Sequence, residues 1–97
     1  MKTEERQEWV YRSGLKPEWV YCVYLLECKD KTLYCGITKD IVRRLRQHNA
    51  GKGAKYTRGR LPVSILRRSV LMGHGDALRL EMKIKKLPRD QKLAALL

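Results

Sequence analysis

Residues 24–56 read YLLECKDKTLYCGITKDIVRRLRQHNAGKGAKY, and the order of signals within them decides the fold. An apolar, β-rich run is broken at Lys29-Asp30-Lys31-Thr32, a turn by composition, and Leu33 to Ile37 returns as a second strand. Thr38 or Asp40 can cap the basic helix that follows and runs to about Asn49. Gly51 and Gly53 stop it, since glycine tolerates the left-handed backbone of a helix C-terminus.

Upstream, the β-branched and aromatic residues from Trp19 to Cys28 make the first strand, central in its sheet. Residues 1–17 are polar and mixed in charge, and Gly14 and Pro17 break any long helix. They read as a flexible extension with no assigned role. Glu8-Trp9-Val10-Tyr11 returns as Glu18-Trp19-Val20-Tyr21, but one recurrence is no repeat architecture. Downstream, Lys52 to Leu61 reads as a flexible basic loop, and Pro62 admits a third strand over Val63–Leu71. Gly73-His74-Gly75 is a turn and Asp76 a cap for a helix over Ala77–Leu87, where Ala77, Leu80, Ile84 and Leu87 form one apolar stripe. Pro88 ends it and opens a last helix, Arg89–Leu96. The order ββαβαα predicts one α+β domain over residues 18–97, a small three-stranded antiparallel sheet flanked by helices.

Ninety-seven residues with 43% apolar content suit a single modest core. The longest apolar run, Trp19–Leu26, is far short of a membrane span, and the acidic N-terminus leads into no signal-type apolar segment. A soluble, cytoplasmic protein with no obligate protein partner is the expectation. Cys22, Cys28 and Cys35 lack CxxC spacing and read as reduced thiols serving as small hydrophobes. The charge is more telling. The formal net charge is +12, and Ile41 to Gly75 contains no Asp or Glu while holding Arg43, Arg44, Arg46, Lys52, Lys55, Arg58 and Arg60. Cations massed without acids point to a polyanionic partner, nucleic acid above a membrane surface, because no helix joins these charges to a broad apolar face.

Arg44 and His48 are four apart on the first helix and share a face, at the edge of the stripe made by Ile41 and Leu45. Tyr34 ends the strand leading into that helix, and Tyr24 lies on the partner strand. Tyr21 and Tyr24 differ in parity and face opposite sides. Gly36 leaves room for backbone or phosphate to approach. Glu81 flanks the apolar stripe of the later helix, where a carboxylate is costly without a compensating cation.

These residues, across about 20–88, resemble the GIY-YIG nuclease domain. Cys22-Val23-Tyr24 and Tyr34-Cys35-Gly36 stand at the two signature triplets, Arg44 eight residues beyond Gly36 at the family's arginine, His48 one turn later, and Glu81 at its glutamate. The run GITKD and the basic segment after it look like the small stand-alone bacterial members of UPF0213 type. Cys22 replaces the first glycine, and Ile37 stands where several relatives carry a lysine that helps polarise the catalytic tyrosine. His48, Lys39 or Lys55 would then have to assist.

The resemblance implies a metal-dependent endonuclease hydrolysing phosphodiester bonds, of DNA rather than RNA, with one Mg²⁺ or Mn²⁺. Tyr34, through His48, would deprotonate the attacking water. Tyr24 would hydrogen-bond that water or a phosphate oxygen. Arg44 would hold the phosphoryl oxygens, and Glu81 would be the sole protein ligand of the metal. A phenol near its ordinary pKa of about 10 needs cationic neighbours for this work. Gly36, Arg43, Arg46, Lys52, Lys55, Arg58 and Arg60 are the candidate nucleic-acid contacts. The alternative is a non-catalytic basic nucleic-acid-binding module that retains the nuclease fold.

Overall fold

The computed structural model describes residues 19–96. The proposed extension at 1–17 lies outside them. Strand β1 (Cys22–Glu27) pairs antiparallel with β2 (Leu33–Thr38) on one side and β3 (Ser64–Arg68) on the other, giving the order β2-β1-β3. Helix α1 (Ile41–Asn49) follows the hairpin, and a single turn, α2 (Lys55–Arg58), interrupts the connection to β3. Helices α3 (His74–Lys85) and α4 (Arg89–Ala95) close the chain. The α+β class and the antiparallel three-stranded sheet agree with the sequence reading.

The central strand is buried on both faces, as its unbroken apolar run requires. Strand alternation sends Val23, Leu25 and Cys35 to one face, against Ala77 and Ile84 of α3 and Leu96 beyond α4. Tyr24 and Leu26 go to the other, where Cys28 and Val63 join them and Ile41, Leu45 and Tyr34 pack alongside. Tyr21 packs with the first cluster and Tyr24 belongs to the second, as their parity predicted.

The caps are local chemistry. The Asp40 carboxylate accepts from the Arg43 backbone N–H at 3.1 Å and starts α1. Gly51, with φ of 75°, takes the left-handed position after that helix. In the β1–β2 turn Asp30 accepts from both the backbone and the hydroxyl of Thr32. Asn49 fastens the end of α1 to the start of β3, donating to the Val63 carbonyl at 3.0 Å and accepting from its N–H at 2.8 Å.

Four local expectations change. The third strand is shorter than Val63–Leu71, because β3 ends at Arg68 and only Met72 resumes bridging, to Tyr21. Helix α3 begins at His74 with Gly73 as its cap, so Asp76 lies in its first turn, paired with Arg79, instead of capping. Pro88 caps α4 and does not sit within its first turn. The loop 52–61 contains the α2 turn, and Arg60 ties it to the hairpin through Asp30 at 3.0 Å. Among the described residues, no helix is long and apolar enough to cross a membrane.

Candidate active site

Pairing places Tyr24 directly opposite Gly36, so both lie on the α1 face of the sheet. The Tyr24 ring lies across the glycine: a Cβ at position 36 would stand 2.5 Å from the Tyr24 hydroxyl and 2.7 Å from Cζ. The approach for which Gly36 is needed is therefore that of the Tyr24 phenol, not of a phosphate, which corrects its place among the nucleic-acid contacts.

The Tyr24 hydroxyl lies 3.0 Å from Nε2 of His48, and Nδ1 of His48 lies 2.9 Å from Oγ1 of Thr57. All three residues are buried, at 1%, 1% and 0% exposure. The proton positions follow from the last link. The Thr57 hydroxyl donates to the Ala54 carbonyl at 2.9 Å, so its oxygen must accept from His48 Nδ1–H. The imidazole is then neutral with Nε2 bare, and Tyr24 donates to it. Burial, reinforced by the charge of Arg44, holds the His48 pKa below its ordinary value, in keeping with this tautomer. Gly53 makes room for the ring, since a Cβ there would meet Nδ1 at 2.3 Å. Its function is space for His48, because the left-handed turn belongs to Gly51 alone of the pair.

His48 therefore lies inside the protein, as the third member of an Ile41, Leu45, His48 seam, and not at the edge of the stripe. Its Nε2 bonds to Tyr24 rather than Tyr34. Tyr34 meets the His48 ring edge-on, with centroids 5.2 Å apart, and stands 6.3 Å from the Tyr24 ring. It is the half-buried phenol of the two. Burial raises the Tyr34 pKa, opposed first by Lys85 and then by Arg44, while Glu81 raises it further. Burial raises Tyr24 more strongly, with Tyr34 adding to it and Arg44 opposing. Both phenols are protonated near neutrality in the free protein.

Arg44 extends from the same helix into a concavity of about 450 Å³ that Arg43, Gln47, Lys39 and Tyr21 also line. Its charge acts on Tyr24, Tyr34 and His48 together. The Lys39 ammonium sits over the Tyr21 ring at 5.4 Å. Lys55 begins α2 and is exposed.

Glu81 reaches the site from α3, which packs against β2, and its charge acts on Tyr34, Tyr24 and Cys35. Its side chain is 16% exposed and pairs with Lys85 Nζ at 3.4 Å. In the free protein an i, i+4 lysine thus supplies a compensating cation. Among the described residues no cluster of three or more His, Cys, Asp or Glu could hold a metal. A lone carboxylate nevertheless fits Mg²⁺, which keeps most of its waters and takes one or two protein carboxylates beside substrate phosphate. A structural zinc site does not fit. The three thiols are buried and free, and burial raises each of them, Cys35 to about 11, so none is a ready thiolate.

Arg43, Arg46, Lys52, Lys55 and Arg58 are exposed, as a phosphate-binding surface needs. Arg60 is committed elsewhere: it donates to Asp30 and to the Tyr56 carbonyl and lies 4.0 Å over the Tyr56 ring. Sequence reasoning missed Thr57, Tyr56, which stacks on Tyr34 at 6.1 Å, and Lys85. The i, i+4 spacing of Glu81 and Lys85 was a usable signal. For Thr57 there was none, since nothing local links it to a histidine nine residues earlier.

The family model of the GIY-YIG catalytic domain matches residues 20–94. A UPF0213 protein of Nitratidesulfovibrio vulgaris is 54% identical over 81 residues, 84% of this chain and 74% of that one. A UPF0213 protein of Halobacterium salinarum is 50% identical over 72 residues, 74% of this chain and 94% of its own. A UPF0213 protein of Bacillus halodurans, solved in solution by NMR, is 44% identical, with coverage of 74% and 77% and a TM-score of 0.47. With the family model spanning the sheet, both tyrosines, Arg44, His48 and Glu81, the chain belongs to the GIY-YIG nuclease family, among its UPF0213 members.

Proposed function

We propose that the protein is a metal-dependent endonuclease that hydrolyses phosphodiester bonds of nucleic acid, DNA before RNA. The buried Tyr24–His48–Thr57 chain carries this reading. A polar chain in so small a core stabilises less than apolar packing and must be satisfied throughout. A module that only grips phosphates has no use for it.

Because Tyr24 donates its O–H to His48 in a hydrogen bond, its oxygen is left as an acceptor. It would orient the attacking water and not bind a phosphate oxygen. Tyr34, the phenol nearer solvent, would take the proton of that water after releasing its own proton to solvent, an ionisation that Lys85 and Arg44 favour against burial. As the water oxygen bonds to phosphorus and the P–O bond to the leaving nucleoside oxygen breaks, that oxygen taking a proton from solvent, charge grows on the phosphoryl oxygens, where the forked guanidinium of Arg44 would hold it. Glu81 would hold one Mg²⁺ or Mn²⁺, which when bound supplies Lewis-acid stabilisation of that charge.

The module reading draws on one observation, the Glu81–Lys85 pair, which satisfies the carboxylate without any metal. Glu81→Gln separates the two. For an enzyme, the substitution abolishes cleavage and weakens Mn²⁺ binding measured by calorimetry, while nucleic-acid affinity without metal persists or rises. Unchanged metal-dependent cleavage removes Glu81 from the site. A folded wild type inactive on duplex, single-stranded and branched substrates with either metal establishes the module.

A further inference from the structure

The cations offered by the sequence as nucleic-acid contacts fall between Ile41 and Gly75, yet a separate set, from the β1–β2 turn, α3 and α4, converges beside Tyr34. A concavity of about 430 Å³ lies against the β2 edge, walled by Leu33, Tyr34, Cys35, Tyr56, Lys85 and Lys92. A second, of about 290 Å³, adjoins it and is lined by Lys31, Thr32, Leu33, Arg89 and Lys92. The two share Leu33 and Lys92, so they form one furrow leading away from Tyr34. No Asp or Glu lines either.

The cations differ in how far they are committed. Lys85 is paired with Glu81, and Arg89 donates to Glu27 at 3.1 Å and to the Lys31 carbonyl. Lys92 donates one of its three protons to the Lys85 carbonyl at 3.2 Å, which positions the ammonium without neutralising it. Lys31 is highly exposed and only 4.0 Å from the already occupied Glu27. Net positive charge therefore remains at Lys92 and Lys31, one in the middle of the furrow and one at its far end. The wall beside Tyr34 is firm, since the Tyr56 ring is held between Tyr34 and the guanidinium of Arg60.

We propose that this furrow is a second phosphate track, in which the backbone of the nucleic acid runs from Tyr34 past Lys92 to Lys31. The proposal rests on the nuclease reading. It adds that substrate contacts lie on both sides of Tyr34, so the scissile phosphate sits inside the bound segment and not at its end. Phosphate contacts of this kind set register without reading sequence.

The test is fluorescence anisotropy with a short fluorescein-labelled oligodeoxynucleotide, single-stranded and as a duplex, titrated without metal across salt concentrations. The double variant Lys31→Asn, Lys92→Gln removes both charges. Asparagine suits position 31, where φ is 70°. Each lost contact lowers the slope of log affinity against log salt by about one. The advantage of wild type over the double variant should therefore shrink about tenfold between about 50 and about 200 mM salt. Lys92→Arg keeps the charge and should keep the wild-type slope, while circular dichroism checks each fold. Tight wild-type binding with an unchanged slope in the double variant overturns the track and leaves the nuclease reading standing. An equal loss in Lys92→Arg also overturns it, since the Lys85 carbonyl contact would then be responsible. A wild type that binds neither probe overturns both readings.

Discussion

Thr57→Val tests how the site is set. The substitution keeps the branched shape but deletes the oxygen that accepts from His48 Nδ1–H at 2.9 Å. That N–H is buried, as is the whole of Thr57. A buried donor stripped of its acceptor costs about 1–3 kcal/mol. In a domain of this size each kcal/mol lowers Tm by about 4–8 °C. The imidazole has one escape, moving its proton to Nε2. Nε2 then donates to Tyr24, the Tyr24 hydroxyl must turn its proton elsewhere, and its oxygen stops being the acceptor that orients the attacking water.

The two consequences separate in the assay. Stability falls by the amount above, read from thermal or urea unfolding. Cleavage should fall further than the folded fraction accounts for, by about 10²-fold, the scale set by a misplaced reacting group. The ¹⁵N shifts of the His48 ring report the tautomer directly, Nδ1–H in the wild type and Nε2–H in Thr57→Val. If the variant keeps the Nδ1–H tautomer and cleaves at the wild-type rate once the folded fraction is matched, Thr57 does not set the histidine. The assignment of Tyr24 as acceptor then fails with it.

Gly36→Ala places a methyl 2.5 Å from the hydroxyl of a ring that is itself only 1% exposed and cannot swing away. We expect about 1–3 kcal/mol from overpacking, increased where the Tyr24–His48 bond also breaks, with urea unfolding as the measure. Arg44→Ala should leave the fold intact and reduce cleavage by about 10²–10³-fold in single-turnover kinetics. Wild-type rates in that variant would make Arg44 a phosphate clamp only. Stability should plateau between about pH 6.5 and about pH 8.5, above which the three buried thiols, raised by burial, begin to cost stability. His48 has its folded pKa depressed, so its contribution is lost as pH falls below the unfolded value, whereas Tyr24 and Tyr34 are raised and theirs is lost as pH climbs past about 10. His48→Leu should flatten the acid limb of a urea-midpoint profile.

The sheet was legible because its signals are local and redundant. A continuous apolar strand, a four-residue turn and a second β-rich run admit little but a hairpin, and Asp40 caps α1 as its side chain allows. Arg44 was legible through the family resemblance, from its place eight residues beyond Gly36. What the sequence hid was inside the protein. A polar histidine reads as the margin of an apolar stripe, yet His48 completes that stripe, because both of its nitrogens find partners that no helical wheel displays. Gly51 and Gly53 read alike, although one answers to a backbone angle and the other to a ring packed against it. Arg60 looked like its basic neighbours, and only the tertiary position of Asp30, thirty residues earlier, ties it down at the surface.

The departure at position 37 can be weighed in these terms. Ile37 pairs with Val23 and packs in the cluster on the α3 face, so a lysine there would begin on the side of the sheet away from Tyr24 and His48. The cation that most opposes the burial of Tyr34 comes instead from α3, through Lys85. Glu81 and Lys85 lie one turn apart on that helix, which brings the carboxylate proposed for the metal and this cation to the same phenol. A charge drawn off Glu81 frees the ammonium, and an ammonium drawn to phosphate frees Glu81. On the proposed function, metal and nucleic acid would then each weaken the pair that competes with the other, and their binding would be favourably coupled through one ion pair.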